Sequence, residues 1–150
     1  METRDLAVTA TGEVEAASLG ITPGYGYHVV IKEMKLQEKT GTSKKGQPFR
    51  IVCADFTCQV INCLSEDISE ASCKGQLVHM RINNRPEEPD DRILSYIKGL
   101  MCDCGITLDD YSSSEVIAGD VVGKEFDCMV KEDKMGYAYI STNTLRALNR

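Results

Sequence analysis

A chain of 150 residues, 42% hydrophobic and 27% charged, is long enough to build one globular domain around its own core. Its formal net charge of −6 excludes a protein that coats nucleic acid by bulk charge, so any polyanion must be held by a local basic patch. No apolar run approaches the ~20 residues of a membrane span, and the first residues carry neither a basic start nor an apolar stretch, so a cytoplasmic protein with no membrane partner is expected.

Residues 1–26 are weakly patterned and rich in Ala, Thr, Gly and Glu, which predicts a flexible or loosely docked N-terminal arm anchored by Tyr25 and Tyr27. Residues 27–150 then form the single domain. From His28 to Phe56 the chain reads as a long hairpin. Its first arm places Val29 and Ile31, then Met34 and Leu36, on one side, and the slip near Lys32 and Glu33 is the signature of a β-bulge. Gly41 and Gly46 bracket the expected tip, Lys39 to Gln47, as residues tolerant of unusual backbone angles. The tip gathers Lys39, Lys44, Lys45 and Arg50 around Phe49, the densest positive charge in the chain. Either it is a solvated turn, or it pairs with phosphates and stacks Phe49 on a base.

QVINCL continues as a further short strand, and SEDISEAS as an acidic turn or one or two helical turns. In the strand KGQLVHMRIN, Val78, Met80 and Ile82 face one way. Leu77, His79, Arg81 and Asn83 face the other, so His79 and Arg81 can extend a charged stripe with Arg50. NRPEEPDD breaks the chain and supplies Asp90 or Asp91 as a helix cap. Ile93, Leu94, Ile97, Leu100, Met101 and Cys104 make one apolar helical side, ended by Gly105. Ser112 and Glu115 have capping-box spacing before a short turn. The strand VVGKEFDCMVKED turns inward Phe126, Cys128 and Val130, and YAYIST returns as its partner across the loop Glu132 to Gly136. There Tyr137 and Tyr139 share one side and Ala138 and Ile140 the other. The smaller aliphatic pair makes the better interior, so the two rings are read as exposed. TLRALNR closes with one helical turn.

Seven cysteines without a secretory leader read as reduced thiols filling the core. Cys58-x4-Cys63 and Cys102-Asp-Cys104 do not match the paired Cys-x2-Cys of structural zinc, so neither metal nor cofactor is expected. Phosphate-binding loops, dinucleotide fingerprints and nucleophile elbows are absent from the sequence, and no catalytic residue is assigned.

Strand, strand, strand, helix, strand, strand is the order of the OB-fold, a five-stranded Greek-key barrel with one helix between strands three and four, here with short extra helical turns. The tip SKKGQPF, the helix DRILSYIKGLM before CGI, and VVGKEFDCMVKEDKMGYAYIS together resemble small phage-encoded single-stranded DNA-binding proteins with an OB-fold, over residues 27–142. The resemblance implies sequence-tolerant binding of single-stranded DNA in phage DNA replication or recombination, in the host cytoplasm. Replication or recombination proteins would be further partners, and a homodimer is left open. The nucleic-acid contacts would be Lys39, Lys44, Lys45, Phe49, Arg50, His79, Arg81, Tyr137 and Tyr139. The alternative is an OB-like protein-interaction module that binds a host or phage protein.

Overall fold

The computed structural model describes residues 21–150. The proposed arm at 1–26 therefore lies mostly outside the described residues. Its last part is docked. Ile21 is buried against the core, Thr22 N–H donates to the buried Tyr27 hydroxyl at 2.8 Å, and Gly24 N–H donates to the Val130 carbonyl at 2.7 Å.

Two long strands, β1 (Gly26–Thr42) and β2 (Pro48–Cys63), form the hairpin. Register shifts between His28 and Val29 and between Ile31 and Glu33 leave Ile61 on β2 and Lys32 on β1 without partners across this pair. The inward series thus passes from Val29 and Ile31 to Met34, as the bulge requires. QVINC is not a separate strand but the end of β2, because its inner side chain Val60 continues the alternation of Ala54, Phe56 and Cys58. Pairing runs out to Thr42 opposite Pro48, so the turn is only Ser43–Gln47 and Lys39 belongs to β1. Gly46 takes φ +81°, as expected of a turn glycine. Gly41 serves differently: a Cβ there would sit 2.8 Å from the Phe49 ring, which lies across it.

After the single turn α1 (Glu70–Cys73), β3 (Leu77–Asn83) pairs antiparallel with β2. Helix α2 (Arg92–Asp103) buries Ile93, Ile97, Leu100 and Met101 against β2 and β3. Asp91 occupies its N-cap without a side-chain cap bond, and Asp90 is engaged by Arg50 instead. Its end is a Schellman motif: Gly105 at φ +77°, Gly105 N–H to Cys102 O, and Ile106 N–H to Met101 O. A second helix, α3 (Ser114–Val121), was expected only as a short turn. Its cap is Ser113 rather than Ser112, Ser113 Oγ accepting from Val116 N–H at 3.2 Å, and it packs Ile117 and Val121 inward.

Strands β4 (Glu125–Glu132) and β5 (Ala138–Ile140) complete a mainly β structure, followed by a 3-10 turn (Thr142–Thr144) and the single turn α4 (Leu145–Leu148). The five strands close in a ring in the order β1-β2-β3-β5-β4 and back to β1, with β3 and β5 parallel. Among the described residues no helix is long and apolar enough to cross a membrane.

At the β1–β4 seam His28 lies between two carboxylates, Nδ1 2.6 Å from Asp127 and Nε2 2.8 Å from Glu125. Partial burial opposes charge on the ring, but the hydrogen bonds to Asp127 and Glu125 outweigh it and hold its pKa above 6.5. A folded-state value above the unfolded one stabilises the fold fully below pH 6.5, and this stabilisation disappears as pH rises through the folded value. His28→Gln should therefore lose more melting temperature, relative to wild type, at about pH 5.5 than at about pH 9. A difference that stays constant across that range would remove the ring's charge from the account.

All seven cysteines are free thiols. Burial pushes the Cys58 thiol up to about 12 and raises those of Cys104 and Cys128 as well, so these act as small apolar groups. A thiol reagent should label the exposed Cys102 first and reach those three only on unfolding; early labelling of Cys58 would contradict its burial.

Candidate functional site

Alternation and register place one set of side chains on the outside of the ring. With Val52, Ala54, Phe56, Cys58 and Val60 turned inward, β2 presents Phe49, Ile51, Asp55, Thr57 and Gln59 outward. Across the sheet, Lys39 stands opposite Ile51, and Lys35, Asp55 and Arg81 form one row. The next row runs Glu33, Thr57, His79, Tyr139 and Lys131, crossing all five strands. Neighbouring strands lie ~4.8 Å apart, so His79 and Lys131 flank Tyr139 within a span of ~10 Å.

Tyr139 is 40% exposed and Tyr137, on the same side of the chain just before β5, is 70% exposed; Ile140 is buried and Ala138 packs toward the core. Both rings therefore face out, in line with the alternation. His79 Nδ1 lies 3.4 Å from the Thr57 hydroxyl. Arg81 donates through Nε to Asp55 Oδ1, while Asp55 Oδ2 accepts from Gln37. That bond also holds the guanidinium's pKa above its ordinary value. Among the described residues the two terminal nitrogens of Arg81 have no partner, so the carboxylate orients a cation whose donating end remains open.

Two depressions meet at this row. One, of about 390 Å³, lies between Arg81, Tyr139 and Lys131 and is bounded by Thr142 and Asn143. The other, of about 680 Å³, runs past Leu77 to Tyr137 and Ala138 and reaches Ile21 and Pro23. His79 and Arg81 line both, which makes them the shared wall of one continuous surface.

The hairpin tip is separate. Lys44 and Lys45 are exposed on the turn and make no ion pair among the described residues; Phe49 is half-buried over Gly41. Arg50 does not extend the stripe of His79 and Arg81. It shares the parity of Val52, so it points to the opposite side of the hairpin, where it meets Glu38 at 2.7 Å and grips Asp90 through both terminal nitrogens. Those bonds hold the Asp90 carboxyl below the usual carboxylate range. The cleft beside it is lined by Glu87 and Glu88, which oppose an anion there.

The register adds three residues to the sequence-derived set. Lys35 was legible from the bulge, which puts it on the side of Lys39. Lys131 was legible as outward-facing from the inward series Phe126, Cys128 and Val130, but its place beside Tyr139 is a matter of strand pairing. Asp55 carried no sequence signal, being an isolated acid in an apolar strand. Among the described residues no group of His, Cys, Asp and Glu converges as a metal site. No protein-family model, curated protein or solved structure matches this chain.

Proposed function

We propose that the ring is an OB-fold and that the protein binds single-stranded DNA with little sequence preference. The strand order β1-β2-β3-β5-β4 with parallel β3 and β5 supports the fold, whose ligands lie across strands two and three between the β1–β2 and β4–β5 loops. The observation that carries the function is the row His79, Tyr139 and Lys131 beside an oriented Arg81, all on that side. Exposed rings next to cations are what a single strand needs, since stacking is indifferent to base identity and cations track phosphates. Lys39, Lys44 and Lys45 would extend the basic track along the hairpin; Arg50 would not. Participation in phage replication or recombination rests on the sequence resemblance alone.

A titration with fluorescent oligo-dT at low and moderate salt tests this. Saturable binding that weakens with salt, without comparable binding to duplex, is the expected result. Lys44→Glu with Lys45→Glu should weaken it strongly at an unchanged melting temperature, because both side chains are exposed. Unaltered affinity would remove the tip from the site. A protein-interaction module remains the second reading, favoured by the exposed apolar residues Leu77 and Tyr137, which line the larger depression. Absence of oligonucleotide binding at low salt would select it.

A further inference from the structure

The smaller depression has more polar definition than a stacking surface needs. Two carboxylates line it, Asp55 and Asp133, and both are already engaged. Asp55 holds Gln37 and Arg81, and Asp133 Oδ1 accepts from the backbone N–H groups of Met135 and Tyr137, each at 2.9 Å. Their charge is thereby tied to side chains and turn backbone. Among the described residues, the Lys131 ammonium, the terminal nitrogens of Arg81 and the Asn143 amide have no hydrogen-bond partner, and all three line this space.

Register brings Arg81, from β3, to Lys131 and Asn143 on β4 and the exit of β5. Lys131 is the direct cross-strand neighbour of Tyr139. Because β3 and β5 run parallel with His79 beside Tyr139, Arg81 falls beside Ser141, where the chain leaves β5 for the turn carrying Asn143. Tyr139 thus has Lys131 beside it and Arg81 one row away, and Asn143 lines the same depression. A cavity of about 390 Å³ is within the range of small-ligand sites.

We infer that this cleft is a subsite for one nucleotide unit of the bound strand: its base lies on Tyr139 with its edge toward the Asn143 amide, and its phosphate lies between Arg81 and Lys131. The inference rests on the single-strand-binding reading and deepens it, since it adds a defined pocket to an otherwise sequence-tolerant surface. An amide offers both a donor and an acceptor and so meets a base edge. The two cations supply charge-assisted bonds to phosphate oxygens.

The test compares 5′-dTMP with thymidine by NMR, following Tyr139 and His79 resonances, alongside oligo-dT binding by wild type, Lys131→Ala and Asn143→Ala. Both substitutions are at exposed positions, and unchanged spectra elsewhere confirm folding. The expected result is that dTMP perturbs these resonances at lower concentration than thymidine does. Lys131→Ala should abolish that difference and lower the salt slope for oligo-dT by roughly 0.7. Asn143→Ala should weaken dTMP and thymidine alike and leave the salt slope intact. Oligo-dT binding with no response to dTMP at Tyr139, or with both variants behaving as wild type, overturns the subsite and leaves the single-strand reading standing. Failure of wild type to bind either probe overturns both.

Discussion

Replacing Tyr137 and Tyr139 together by alanine should lower affinity for oligo-dT by roughly 2–6 kcal/mol, from about 1–3 kcal/mol for each stacked base. The slope of log K against log salt should be unchanged, because stacking releases no counterions. Thermal stability should also hold. Tyr137 is 70% and Tyr139 40% exposed, and surface substitutions of this kind usually stay within about 0.5 kcal/mol. Arg81→Ala is the contrasting case. It removes one cation and should lower the salt slope by roughly 0.7, with a smaller loss at high salt than at low. Anisotropy titrations at several salt concentrations distinguish the two behaviours. A tyrosine variant that loses melting temperature in step with affinity would make the rings structural rather than contacts.

Phe56→Ala should cost about 3–5 kcal/mol of folding stability, a large part of the ~5–15 kcal/mol available to a domain. Phe56 is fully buried at the centre of an inward row with Met34 on β1 and Met80 on β3. Truncation forfeits the ring's transfer energy and leaves a cavity between two thioethers that fill it incompletely. Its neighbour Asp55 faces outward in the row of Lys35 and Arg81, so the same truncation loosens the platform beneath the candidate site. Denaturant unfolding should show a lower midpoint at an unchanged m value. Phe49→Ala, at the half-buried tip, provides the comparison and should cost far less. Equal losses for the two would mean that the hairpin tip, not the ring interior, carries the packing energy.

Much of the architecture is legible in the amino-acid sequence. The apolar helix from Ile93 to Cys104, its Gly105 stop, the bulge near Lys32 and the facing of Val78 against His79 all follow from period and local backbone chemistry. Such signals are short-range: each depends on residues within a few positions of one another. Misreadings arose where a local rule allowed two outcomes. Asp90 and Asp91 both had the residue type of a cap; Asp91 took the N-cap position, and an arginine 40 residues away offered the Asp90 carboxylate a two-pronged partner. Ser112 and Ser113 both had capping chemistry, and only the helix's final phase selected the second.

The candidate site divides along the same line. Which way Tyr139, Arg81 and Lys131 point was set by alternation along their own strands, because side chains on a strand repeat every two residues whatever the strand pairs with. That Tyr139 and Lys131 share a row with His79, with Arg81 in the adjacent row, is a matter of register, and it joins β3 to a strand far along the chain. Pairing β3 parallel to β5 sets His79 beside Tyr139, and a one-residue slip would turn the whole β5 set inward. Arg50 combines both: alternation along β2 gives it the parity of buried Val52, and a carboxylate from the distant β3–α2 loop holds it there. Local alternation thus specified the orientation of each strand residue in the candidate site, and long-range strand pairing specified its neighbours, because register energy comes from burying a whole inner face at once and belongs to no single segment.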